Sequence, residues 1–176
     1  RRHHILDALR RLAPGSDPEA TANAICTEIV SNGGFPSAAI YGFGTEDRVT
    51  ALGACLRSGQ DGVAALPPLS AGRMDALQAK AAEGPWVDDL RGPDDGSPRA
   101  RIASLGVSAI AFAPIVSDGC LIGLLTAGTG ETPAELSLRM PGLLEFAALS
   151  SSLLGPGLRR RSERAGERAL LRAVIS

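Results

Sequence analysis

The sequence predicts an α+β fold built on an antiparallel sheet. Three observations predict it. Apolar residues recur at helical spacing near both ends of the chain, two β-rich runs flank an Asp118-Gly119 pair, and a second pair of β-rich runs lies between Ser37 and Leu56. With 176 residues, 44% hydrophobic and 21% charged, the chain is long enough for one ordinary soluble domain with a buried core. No apolar run approaches the roughly 18 residues that cross a bilayer, so no membrane insertion is expected.

The elements follow in order. Ile5, Leu6, Leu9 and Leu12 predict a short first helix that Ala13-Pro14-Gly15 ends. Ser16 or Asp17 caps a second, with Pro18 in its first turn, a stripe of Ala22, Ile25, Cys26, Ile29 and Val30, and a stop at Asn32-Gly33-Gly34. Residues 37–43 alternate, placing Ala39, Tyr41 and Phe43 on one side, and with residues 48–56 they predict a hairpin. A third helix over 69–82 carries Met74, Leu77 and Ala81 on one face, with Ser70 as its cap. The Gly-, Pro- and Asp-rich span 83–98 predicts a loop with at most a very short strand, and 99–105 a short helix. The runs 108–116 and 121–127, joined through Asp118-Gly119, predict a hairpin at the centre of the sheet. Thr132-Pro133 opens a last helical region whose main helix starts at Met140-Pro141 and buries Leu143, Phe146, Ala147, Leu149, Leu153 and Leu154. Gly155-Pro156-Gly157 is expected to break it, and 158–176 then reads as a linker helix. The first two helices and the last are expected to cover one face of the sheet.

Charge and cysteine usage narrow the function classes. Residues 1–157 carry 12 basic against 17 acidic side chains, whereas 158–176 carry six Arg against two Glu. A mildly acidic body has no general attraction for nucleic acid, and a short basic tail is not by itself a binding module. Cys26, Cys55 and Cys120 are odd in number and far apart, which fits neither a disulfide framework nor a zinc site and predicts buried free thiols in a reducing cytoplasm. A start at Arg1 with no charged-then-apolar leader predicts a piece of a longer chain without a signal peptide. The only histidines are His3 and His4, and there is no P-loop, nucleophile elbow, CxxC or HExxH, so no catalytic and no metal-binding residues are assigned.

Residues 108–128 carry a family resemblance. Pro114, Gly119, Gly123 and Leu124 fall on or near the positions of the closing hairpin of a GAF domain, a strand ending in Pro-hydrophobic, a Gly-containing turn, then hydrophobic-Gly-hydrophobic-Leu. Trp86-Val87-Asp88-Asp89-Leu90, Gly106-Val107-Ser108 and Leu143-Leu144-Glu145-Phe146-Ala147 also resemble GAF counterparts, and the match covers residues 3–155. The resemblance implies a GAF-like, PAS-like antiparallel sheet with terminal helices on one face and a helix-and-loop cap on the other. It implies a bacterial sensor domain, not a catalyst, that holds a small molecule under the cap and signals through its terminal helices.

Each GAF subtype makes demands on these residues. A bilin-binding domain of the phytochrome type needs a suitably placed Cys, commonly beside His, and a haem-binding one needs an axial ligand in the cap. Neither is present, so neither a bilin nor a haem is expected, and the cofactor is left unknown. The Asn-Lys-Phe-Asp signature of cyclic-nucleotide-binding members is missing around Lys80, and the loop 85–98 lacks the cysteines of free methionine sulfoxide reductases. The candidate pocket has apolar walls from Tyr41, Phe43, Trp86 and Phe112 and polar contacts from Asp88, Asp89, Arg91 and Arg99. Core packing for the aromatics, and a solvated loop face for the charged residues, stand as the alternative roles.

The tail spaces Arg164, Arg168 and Arg172 four apart, one positive stripe on a helix. Residues 167–175 resemble the run-in to an EAL domain, the cyclic di-GMP phosphodiesterase module, which implies such an output domain in the parent protein. The alternative is a GAF module without ligand that dimerises a transcription regulator or a histidine kinase. A homodimer through the terminal helices is expected in either case, motivated by the apolar positions Leu6, Leu9, Leu149, Leu153 and Leu154, of which some must face the sheet instead.

Overall fold

The computed structural model describes residues 17–43, 48–49, 51–59, 62–66, 68–91, 102–103 and 105–175. Their elements, in chain order, are α1 (Pro18–Ser31), β1 (Ser37–Gly42), β2 (Arg48–Val49), β3 (Gly53–Leu56), α2 (Gly62–Ala65) and β4 (Leu69–Ser70). There follow α3 (Ala71–Ala81), β5 (Trp86–Asp89), β6 (Ala109–Ser117), β7 (Cys120–Thr129), α4 (Pro133–Leu138) and α5 (Met140–Ile175). The first helix expected over 5–12 lies outside the described residues.

Five strands form one antiparallel sheet in the order β3-β1-β7-β6-β5, with β7 at its centre. The hairpin β6–β7 turns on Asp118 and Gly119, whose φ values of 50° and 76° suit the mirror-image turns that match strand twist. The first hairpin differs from expectation. Only 53–56 pairs with β1, while β2 leaves the sheet and pairs with β4.

Strand alternation builds two cores. Ala38, Ile40, Ala109, Ala111, Ala113, Leu125 and Ala127 face α1, α4 and α5, and their small side chains let those helices pack closely. The other face presents Ala39, Tyr41, Ile110, Phe112 and Leu124 to Met74, Leu77 and Ala81 of α3. Covering both faces explains why β6 and β7 read as continuous apolar runs. The structure thus places α1 and α5 on one sheet face, as the sequence predicts.

Caps set the helix starts. Asp17 accepts the Glu19 N–H at 3.3 Å ahead of Pro18, Ser70 accepts that of Arg73 at 3.2 Å, and Thr132 with Glu135 forms a capping box.

The expected break at Gly155-Pro156-Gly157 does not occur, because α5 runs unbroken to Ile175. Contacts on both sides of the proline hold it. Leu154 is fully buried, Leu158 packs on the same core, and Ser151 donates to the Val116 carbonyl. A Cβ at Gly155 would lie 2.7 Å from the Ser117 hydroxyl and 3.3 Å from its Cβ, so the bare glycine lets the helix lie close to β6 without turning Ser117 aside. Beyond it, Arg159 pairs with Asp118, and Arg161 grips Glu19 through two bonds of 2.5 and 2.7 Å. That guanidinium lowers the Glu19 carboxyl from 4.5 to about 2.

Two further expectations are corrected. Leu149 and Leu153 pack with Leu154 against the sheet, so these leucines serve the core, while the exposed large apolar residues of α5 are Leu144 near its start and Leu170, Leu171, Val174 and Ile175 near its end. Of the cysteines only Cys26 is buried, with its thiol pushed up by burial. Cys55 is half-buried and Cys120, at the tip of the β6–β7 hairpin, is exposed.

Candidate functional site

A cavity of about 90 Å³ lies between the second sheet face and α3. Its floor is set by alternation on three adjacent strands, namely Ala39 and Tyr41 of β1, Leu124 and Thr126 of β7, and Ile110 and Phe112 of β6. Leu77 and Arg73 come from α3, and Leu56, Leu66, Leu69, Leu90, Ile102 and Val107 complete an apolar wall. None of the three cysteines lines it. Among the described residues no group of three His, Cys, Asp or Glu side chains could hold a metal ion.

Of the sequence-derived site residues, Tyr41, Asp88 and Phe112 line the cavity. Tyr41 is 7% exposed, and burial pushes its phenol up to about 12, so it stays a neutral hydroxyl. Trp86 stands behind Phe112, stacked on it with ring centroids 4.4 Å apart and planes 7° apart. Its indole N–H is buried and has no partner among the described residues. Lys80 sits over the Trp86 ring at 5.1 Å and reaches Asp88 at 3.6 Å, so a cation already faces that carboxylate.

Phe43 packs at the edge of the same core without lining the cavity. Asp89 is placed by alternation on the opposite side of β5 from Asp88. It holds Arg91 through two side-chain bonds of 3.0 Å and a backbone bond of 2.9 Å, away from the cavity. Arg99 lies outside the described residues.

Sequence reasoning missed Arg73, Leu77, Leu124 and Thr126. The Met74–Leu77–Ala81 stripe and the alternation of β7 were the available signals. Thr126 donates to the Ala39 carbonyl at 3.3 Å, which leaves its lone pairs free to accept inside the cavity.

No family model and no curated protein matches the chain. Solved structures do. The phycoerythrobilin-bound GAF domain of a cyanobacterial phytochrome is similar at TM-score 0.55 and 16% identity, over 86% of this chain and 92% of that one. The bacteriophytochrome RpBphP3 of R. palustris is similar at TM-score 0.60 and 17% identity over 87% of this chain, which spans 36% of that protein's length. Free methionine-R-sulfoxide reductase of Neisseria meningitidis, solved with its substrate, gives TM-score 0.61 and 19% identity over 95% of this chain and 90% of that one. The fold is that of a GAF domain.

One expectation falls with these comparisons. The sequence argued against a bilin because no cysteine lies beside a histidine, yet this chain shares its fold with a domain that holds phycoerythrobilin. A missing Cys-His pair speaks only to covalent attachment. It does not remove bilins from the ligands such a frame can hold.

Proposed function

We propose that this chain is a sensory signalling domain that binds a small molecule in the cavity between the sheet and α3. One observation carries the reading: a largely apolar cavity with a few convergent polar groups, Tyr41, Thr126, Asp88 and Arg73, on the sheet face opposite the long helix. The sheet links the two sides. Alternate residues of β6 and β7 face the cavity and α5, so a ligand that repacks Phe112 or Leu124 also shifts strands on which α5 rests. The domain acts as a regulator without catalysis of its own. In support, none of its cysteines lines the cavity.

The output module is a cyclic di-GMP phosphodiesterase of the EAL type. The support is the likeness of residues 167–175 to the run-in to that domain. A homodimer through the end of α5 is favoured by the exposed Leu170, Leu171, Val174 and Ile175, which would bury together on association.

Native mass spectrometry compared with denaturing conditions tests the reading, on protein as purified from cells and again after incubation with a metabolite extract. A mass increment lost on denaturation is expected. A chain that stays bare in both states contradicts it and favours a module that only dimerises.

A further inference from the structure

We infer that the ligand of this cavity carries a carboxylate, held by Arg73, on an apolar body that fills the space against Phe112 and Leu124. The inference rests on the reading of the cavity as a ligand site and adds the chemistry of what enters it.

Two charged side chains line the cavity, Asp88 and Arg73, and their situations differ. Asp88 faces the Lys80 ammonium at 3.6 Å, so its charge is answered by the protein. The Arg73 side chain has no ion-pair or hydrogen-bond partner among the described residues; only its backbone N–H is used, in the Ser70 cap. A guanidinium offers planar paired donors that fit a carboxylate at two points. Among the described residues, the lining charge that no protein group answers is therefore the solvent-exposed guanidinium of Arg73 at the cavity's edge.

The remaining polar groups agree with an acid. The Tyr41 hydroxyl stays protonated and can donate, and Thr126 is anchored by its own donation to Ala39. The other lining side chains are mostly aliphatic or aromatic, which suits a hydrocarbon body. At about 10–15 Å³ per water-sized group, the 90 Å³ space encloses roughly six to nine heavy atoms.

The probes are cyclohexanecarboxylate, cyclohexylmethanol and cyclohexylmethylamine, which share a ring and differ in head-group charge. Trp86, the only tryptophan in the chain and stacked on a cavity residue, reports binding by its fluorescence. The carboxylate is expected to bind tightest. Arg73→Gln is expected to weaken it about tenfold while leaving the alcohol unchanged. Lys80→Gln, which frees Asp88, is expected to raise the affinity of the amine.

If the alcohol or the amine binds as tightly as the carboxylate, or if Arg73→Gln weakens acid and alcohol equally, the carboxylate assignment is overturned and the cavity reading stands. Failure of all three probes to bind overturns both.

Discussion

Replacing Pro156 with alanine tests the account of α5. Pro156 lies inside a helix that runs from Met140 to Ile175. It has no N–H for the Ser152 carbonyl, and its ring crowds that same carbonyl one turn back. An interior proline costs about 3 kcal/mol relative to alanine. Proline also restricts the unfolded chain, which returns about 0.4–1 kcal/mol to the native protein. Pro156→Ala is therefore expected to stabilise the domain by about 2 kcal/mol, which for a chain of this size raises Tm by about 4–8 °C. Thermal unfolding followed by circular dichroism measures it, and hydrogen exchange of the amides around 152–161 shows whether the gain is local. An unchanged or lowered Tm would refute the reasoning, because it would mean that the proline does not interrupt a continuous docked helix.

Three further outcomes follow from the same structure. Glu19 is held at about 2, below its ordinary 4.5, by Arg161, so the pair contributes stability above pH 4.5 that is lost as pH falls towards 2. Both side chains are largely exposed, and solvent screening limits the effect to about 1 kcal/mol or less. Denaturant unfolding across that range, compared with Glu19→Gln, should show an acid loss that the variant lacks. Tyr41 is the only tyrosine, and its phenolate absorbance should rise near pH 12 in the folded protein instead of near the ordinary value of about 10. The buried phenol stabilises the fold below about pH 10, and that contribution is lost as pH rises towards 12; titration at the ordinary value would show that the cavity floor is open to water. Arg73→Gln should cost about tenfold in carboxylate affinity, measured by Trp86 fluorescence.

Local chemistry made much of the fold legible. Asp17, Pro18 and Asn32 bound α1, Ser70 caps α3, and Asp118-Gly119 closes the central hairpin, each because a backbone requirement is met by a specific side chain. The passage of α5 through Pro156 was not legible. The local rule that proline ends a helix is overridden by packing of Leu154 and half-buried Leu158 on the core and by the pairs Arg159–Asp118 and Arg161–Glu19, whose partners lie far from the proline in sequence. The pairing of β2 with β4 was equally hidden, since two residues are too few to show alternation.

The candidate site was half legible. Tyr41 and Phe112 stood out as aromatics on strands, and Thr126 follows from the alternation of β7 beside them, but Arg73 joins them only because α3 lies across β6 and β7, and tertiary contact carries no sequence spacing. Adjacent Asp88 and Asp89 looked equivalent. Strand alternation divides them, sending one to the cavity with Lys80 and the other to Arg91.

The central claim, that a largely apolar cavity stands between the sheet and α3, is tested most directly by diffraction from a crystal of the chain held under xenon. Xenon binds at apolar surfaces inside proteins, here the aliphatic and aromatic part of the lining. The account predicts a xenon peak beside Phe112 and Leu124, facing Leu77. A filled, collapsed core there, with no xenon and α3 packed down on Tyr41, would contradict it.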